Sequence, residues 1–408
     1  MPSLSEKLKS LGVQVGAQNL SGAPRQESHT YPIEEVVEGR FLDTPFGKAF
    51  VVENLFPPDH KQGFFSLLPS CSFERIAAWA GEPGILELSY QDFIFLDTET
   101  SGLSVGAGTY AFLIGLGRFD MDGFHLAQYF MRDPIEELAQ LIALTDFLGS
   151  RAGLVTFNGK AYDVPLLNTR FITHGENSPF KTPSHIDLLP LARRVWRDRL
   201  PSRALAYLEE HVLGANRTHE DVPGWQIPYM YFDYLRSGDA RPLKNVFYHN
   251  AMDVLSMAAL LNHLAQLLDN PLNGQDPHGI DLIAIGKLYE DLGEVDSAAE
   301  CYLRGLGKVL PEEIRSDAIK RWSMMEKRRG NWEKAIELWS IAVERSELYA
   351  FEELAKFYEH HLKDYSLAAY WTRSAIETLT SLRMAQYERA QFLGQFKHRL
   401  ERLLRKSE

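Results

Sequence analysis

Only two cysteines, Cys71 and Cys301, occur in the 408 residues, and they lie far apart. That excludes a disulfide framework and points to a reducing compartment, so a cytoplasmic location is expected. No unbroken run of about 18 apolar residues is present, so neither a transmembrane helix nor a membrane partner is expected. The opening MPSLSEKLKSLGVQVG has no apolar core of the signal-peptide kind. Positive charge is also scarce, with 43 Lys and Arg against 55 Asp and Glu and a net charge of −12. Residues 91–270 alone hold 15 basic and 21 acidic residues. A broad basic surface is thereby excluded, and any nucleic acid must be engaged through cations and a restricted basic patch. Gly102, Gly106 and Gly108 are not followed by Lys-Ser or Lys-Thr, so the loop is not a P-loop. His360-His361 lacks zinc-ligand spacing, and no Ser or Cys has a nucleophile's surroundings.

What is present is an ordinary globular composition, 45% hydrophobic and 24% charged, in a chain long enough for two or three domains. Residues 1–30 are rich in Ser, Gly and Gln and are expected to be flexible. Residues 31–90 mix short strand-like pieces with Pro57-Pro58 and a Gly-Glu-Pro-Gly turn, and read as a small accessory segment. From Asp92 the pattern predicts strands over 92–99, 110–119 and 125–131, an antiparallel meander. Asp133-Pro134 opens a helix to about Leu148. A strand over Gly153 to Asn158 and a helix from about Asp163 follow, and 188–270 reads as mostly helical. Beyond 280 three segments align without gaps. Val295, Trp332 and Tyr365 share one position, and Ala298, Ala335 and Ala368 another. The steps of 37 and 33 residues are near the tetratricopeptide period. Stacked helix pairs at 280–408 are expected, with the Trp and Tyr residues as core.

The chemistry is concentrated in FIFLDTETSGL. Asp97 and Glu99 end a strand at i and i+2, so they point the same way, roughly 7 Å apart. Crowded carboxylates repel unless a cation neutralises them, and hard oxygen ligands suit Mg²⁺ or Mn²⁺. A bare D-x-E is more often a polar strand end, but further acids follow. In TFNGKAYDVPLLNTR, Asn158 ends a strand and Asp163 starts a helix; taken alone, Asp163 is better read as a helix N-cap. In Tyr248-His249-Asn250-Ala251-Met252-Asp253, Asp253 shares a face with Met257 and Leu260, so it needs a partner if buried. His249 lies one turn before it. Arg193, Arg194, Arg197, Arg199 and Arg203 form the densest basic run, either a solvated helix face or a phosphate track. Asp187 is read as a structural or supporting acid.

Asp97-x-Glu99, Asn158-x4-Asp163 and His249-x3-Asp253, in this order, resemble the three motifs of the DnaQ-like (DEDD) exonuclease superfamily. More narrowly, Phe-Asn-Gly-Lys-x-Tyr-Asp, the loop ahead of Ala111-Phe-Leu-Ile-Gly115 and Val222-Pro-Gly224 are similar to the YprB-type ribonuclease-H-like proteins of bacteria. The resemblance implies an α/β ribonuclease-H-like fold with a mixed sheet, antiparallel meander first and parallel strands after, over 91–270. An all-α helical-repeat domain over 280–408 would follow it. It implies that Asp97, Glu99, Asp163 and Asp253 hold two Mg²⁺ or Mn²⁺ ions, with His249 acting on the attacking water. Tyr248 stands at the spacing of the family's histidine version, so it competes with His249 for that role. Thr100, Ser101, Gly102, Asn158, Lys160, Arg194 and Arg197 become the expected substrate contacts. The implied activity is 3′–5′ exonucleolytic hydrolysis of single-stranded DNA or RNA, or of 3′ ends. The competing reading is a non-catalytic adaptor whose helical repeats bind a protein partner.

Overall fold

The computed structural model describes residues 30–102, 108–181, 184–272 and 277–407. The expected flexible N-terminus and the middle of the glycine-rich loop lie outside the described residues. The strands are β1 (Arg40–Thr44), β2 (Gly47–Phe56), β3 (Lys61–Gln62), β4 (Phe65–Ser66), β5 (Phe93–Thr100), β6 (Ala111–Asp120), β7 (Gly123–Phe130), β8 (Gly153–Thr156) and β9 (Ser184–Asp187). Seven of them form one sheet in the order β1-β2-β7-β6-β5-β8-β9, and β3 and β4 make a separate small hairpin. Strands β1, β2, β7, β6 and β5 pair antiparallel, while β8 and β9 join parallel. The mixed sheet of the expected fold is therefore present. One boundary is corrected. Residues 31–90, read as a separate accessory segment, contribute β1 and β2 to the same sheet, with β2 paired along β7 from Phe50↔Phe130 to Phe56↔Phe124.

The alternation within β5 divides the core. Phe93 and Phe95 face one hydrophobic cluster and Ile94 and Leu96 face another, so the strand is buried on both sides. Asp97 and Glu99 continue the Phe95 face. Helices α1 (Glu74–Ala80), α2 (Glu137–Leu148), α3 (Asp163–Thr173), α4 (Leu188–Trp196), α5 (Ile227–Ser237) and α6 (Leu243–Asp269) complete this region. Before α2, Pro134 opens a 3₁₀ turn whose first amides meet Asp133, which accepts from the Ile135 N–H at 3.0 Å. Leu141, Leu144 and Leu148 of α2 and Leu166, Leu167 and Phe171 of α3 cover the Leu96 face. The 27-residue α6 covers the other with Val254, Met257, Leu260 and Leu261. By length and composition α6 could cross a membrane, against the expectation from apolar runs, but 67% of its most apolar window is buried within the protein.

Seven further helices follow: α7 (Gly279–Leu292), α8 (Val295–Leu306), α9 (Glu312–Arg328), α10 (Trp332–Glu344), α11 (Leu348–Phe357), α12 (Tyr365–Ser381) and α13 (Gln386–Ser407). The aligned positions Val295, Trp332 and Tyr365 are the first residues of α8, α10 and α12. Ala298, Ala335 and Ala368 are all fully buried, as small residues at a close helix crossing should be. One continuous core runs from Phe93 through Trp196 and Met257 to Tyr302, Trp339 and Phe357. Arg199 bonds Asp281 at 2.7 Å, Arg75 bonds Glu294 at 3.0 Å and Arg194 pairs with Asp291, so the array is fastened to the sheet region by charge as well as by apolar packing.

Candidate active site

At the end of β5, Asp97 sits opposite Gly115 and Glu99 opposite Leu113 on β6, with a register shift just after Glu99. The strand thus leaves the sheet where the acids are. Asp97 is held by Asn250 of α6, whose Nδ2 donates to Oδ2 at 2.8 Å. Asn250 is itself buried and accepts from Gln128 Nε2 at 2.9 Å. Gly115 leaves room for this chain: a Cβ there would lie 2.3 Å from Asn250 Oδ1. Gly115→Ala is therefore expected to cost on the order of 1–3 kcal/mol. Urea unfolding checks this, and an unchanged midpoint would mean that Asn250 can move aside freely.

Glu99 is buried, 9% exposed, with no side-chain hydrogen bond or ion pair among the described residues, and only the charge of Arg217 reaches it to offset the acids. Asp163 is the first residue of α3 rather than its N-cap. Tyr162 takes the cap position, and the Asp163 carboxylate accepts from the Thr98 hydroxyl instead. Burial, then repulsion from Asp253 and Asp163, holds the Asp97 carboxyl well above the usual carboxylate range. Burial, then the Asp97 charge, does the same to Glu99. Asp163 is pushed up to about 6 by burial, against the Thr98 hydrogen bond. Three carboxyls thus stand within one another's field with too little positive charge to satisfy them.

Asp253, on α6, has a different neighbour. Arg217, in the loop before α5, reaches it through Nη2 and also grips Glu209 at 2.6 and 2.5 Å. Burial works against the Arg217 charge, but the carboxylates outweigh it and raise its pKa. His249 Nε2 lies 3.7 Å from Asp253 Oδ2. Its Nδ1 lies 2.7 Å from Asp221 Oδ1 and 3.0 Å from Arg217 Nη1, so the ring is held between an acceptor and a donor with Nε2 toward Asp253. Tyr248 turns away, its hydroxyl accepting from the Thr218 N–H at 3.0 Å. The structure therefore brings His249, not Tyr248, to Asp253.

The expected substrate contacts divide. Thr100 Oγ1 donates to the Gly102 carbonyl at 2.7 Å, and Ser101 is tied to Tyr110 through its N–H at 2.9 Å, so this turn is held beside the acids. Asn158 has a left-handed φ of 69° and lines an open cavity of about 380 Å³ with Phe157, Leu189, Arg193, Arg203 and Ala204. Its N–H and that of Lys160 donate to Asp187, which also caps α4 through the Leu189 N–H, so Asp187 is structural. The Lys160 ammonium pairs with Glu82. The Arg194 guanidinium pairs through one nitrogen with Asp291 of the helical array. Arg197 lies against its neighbour Asp198 at 3.3 Å. Of the basic run, Arg193 and Arg203 have no carboxylate partner among the described residues.

Residues 94–265, which carry all five candidate catalytic side chains, match a family described as RNase_H superfamily. This region resembles a ribonuclease-H-superfamily domain. The chain is also 29% identical over 387 residues to "Uncharacterized protein YprB" of Bacillus subtilis (strain 168), covering 90% of each. In this ribonuclease-H-like domain, Asp97, Glu99 and Asp163 fit a divalent cation by donor chemistry, and a buried carboxylate without a donor, Glu99, is the observation that supports the fit. Asp253 fits less simply, since Arg217 already neutralises it. Among the described residues no three acidic, His or Cys side chains form a ready-made metal cage.

Proposed function

We propose that this protein is a divalent-metal-dependent nuclease, most specifically a 3′–5′ exonuclease acting on single-stranded DNA or RNA, with a tetratricopeptide-type helical array attached. The observation that carries the reading is the buried, donorless Glu99 beside Asp97 and Asp163, all three held above their ordinary pKa. Such a pocket is unfavourable without a cation and becomes favourable with one. Asp97, Glu99, Asp163 and Asp253 would hold two Mg²⁺ or Mn²⁺ ions, which would supply charge neutralisation at the scissile phosphate and a more acidic water. The chain's own groups do the rest. Asn250 fixes the Asp97 carboxylate, Asp221 and Arg217 hold the His249 ring, and His249 orients the attacking water or takes its proton. The 3′–5′ polarity follows from the motif resemblance.

The test is degradation of end-labelled single-stranded DNA and RNA with Mg²⁺ or Mn²⁺, wild type beside Asp97→Asn/Glu99→Gln. A ladder shrinking from the 3′ end, absent in the variant, is expected. Cleavage that the variant retains would sink the reading. A specific observation favours the adaptor alternative: Arg217 occupies Asp253 as a built-in counter-ion. In that case neither Mg²⁺ nor Mn²⁺ would raise the melting temperature, as a native-state ligand must.

The local phosphate track moves to Arg193 and Arg203, the two arginines beside Asn158. Arg193→Ala/Arg203→Ala is expected to lower the slope of log K against log salt by roughly 1–1.5. Arg197→Ala is expected to leave it within about 0.3 of wild type. Titration of a labelled oligonucleotide at several salt concentrations checks both, and equal slopes would remove the pair from the track.

A further inference from the structure

Helix α5 buries one face and leaves an aromatic one open. On the buried side, Ile227 and Tyr231 are fully covered. The Tyr231 ring stacks on Phe112 at 4.1 Å, and its hydroxyl donates to the Met131 carbonyl at 3.0 Å. The helix is therefore fixed to the sheet. On the other side, Trp225 is 64% exposed, Tyr229 67% and Phe232 40%. Tyr229 and Phe232 are one turn apart, and Trp225 stands one turn ahead in the 3₁₀ lead-in Gly224–Gln226. Three large rings so placed cover more apolar area than a solvated helix face needs.

Their position relative to the acids decides what they could hold. Gly224 immediately precedes Trp225, and a Cβ on Gly224 would lie 4.0 Å from His249 Nε2. The aromatic row thus starts at the edge of the acidic pocket. The charge pattern narrows the occupant further. Net charge is −12, and Arg194, Arg197 and Arg199 are engaged with the chain's own carboxylates. Phosphate contacts alone give such a surface little affinity for a polyanion. Stacking of bases on aromatic rings supplies affinity without positive charge and tolerates any sequence. It also requires unpaired bases, because those of a duplex present their faces to each other.

We infer that Trp225, Tyr229 and Phe232 form a stacking platform for the unpaired bases of a single-stranded nucleic acid whose end lies at the acidic pocket. This rests on the nuclease reading for the direction of the strand but has its own readout in binding. The experiment measures anisotropy of a labelled 15-nucleotide single strand and of the corresponding blunt duplex, in Ca²⁺, with the full chain. Trp225→Ala/Tyr229→Ala is expected to weaken single-strand binding at least about tenfold. Trp225→Phe/Tyr229→Phe should restore most of it, which a merely structural role for these exposed rings would not require. The duplex should bind more weakly and show no dependence on the pair. Equal single-strand affinity in wild type and the double Ala variant overturns the inference, as does preference for the duplex or absence of any binding. The nuclease reading is decided separately, by cleavage in Mn²⁺ and its loss in Asp97→Asn/Glu99→Gln. Aromatic-dependent binding without cleavage would leave the platform standing and sink the nuclease.

Discussion

Asp97→Asn is expected to abolish cation-dependent cleavage and, in the same protein, to raise the melting temperature measured in EDTA by a few degrees. Without a cation, Asp97, Glu99 and Asp163 repel one another in a poorly solvated pocket. A carboxyl whose folded pKa lies above its unfolded value binds protons better when folded. Its favourable contribution is present at low pH and is lost as pH rises through the folded pKa. For Asp163 that loss falls between the ordinary 3.8 and about 6, and amounts to on the order of 3 kcal/mol. Asp97 and Glu99 are held up in the same direction, Glu99 partly by the Asp97 charge, so the wild-type melting temperature in EDTA should drop between pH 5 and pH 7.5 by more than that of Asp97→Asn. Mn²⁺ should oppose the drop in wild type only. Thermal denaturation at the two pH values, with and without Mn²⁺, checks all of this. Identical curves for wild type and variant would show that the acids are not under mutual repulsion.

Arg217→Ala carries the second large effect. It would leave Glu209, with a side chain only 1% exposed, as an unpaired buried carboxylate, and would free Asp253 and His249 of a shared neighbour. Breaking one side of a buried pair costs about 3–5 kcal/mol, so a drop in melting temperature of several degrees is expected. Adding Glu209→Gln removes the orphaned charge and should recover most of the stability. Cleavage should not return, because Asp253 has lost the group that orients it. Arg217→Lys should fall between, since an ammonium cannot grip Glu209 with two parallel bonds. Recovery of both stability and cleavage in the double variant would reduce Arg217 to a partner of Glu209 alone.

The legible and illegible parts of this site differ for a physical reason. The meander, α2 and α3 follow from alternation, turn residues and an Asp-Pro start, all local signals, and the observed strands agree within a few residues. The β1–β2 pair was legible as strands, but its place beside β7 depends on pairing across some 70 positions, which no local pattern carries. Asn250 and Gln128 left traces that could have been followed. Asn250 shares a helix face with Val254 and Met257, and Gln128 interrupts the alternation Phe124, Leu126, Phe130; each is a polar residue in an apolar row. Arg217 and Glu209 left none, because they lie in a π-turn and an irregular loop with no periodicity to violate. The pairing of the arginine run was illegible for a related reason: composition shows charge, but not that Asp281 and Asp291 lie opposite it.

Those two ion pairs, with the apolar core they border, have a mechanical consequence. The ribonuclease-H-like domain and the helical array share packed side chains, and a shared core resists the relative swinging that a linker permits. Whatever the array holds is presented to the acidic pocket at a constant distance and angle. On the proposed function the array would serve as a jig: a partner bound there would bring its nucleic acid into reach only if the span between the two matched.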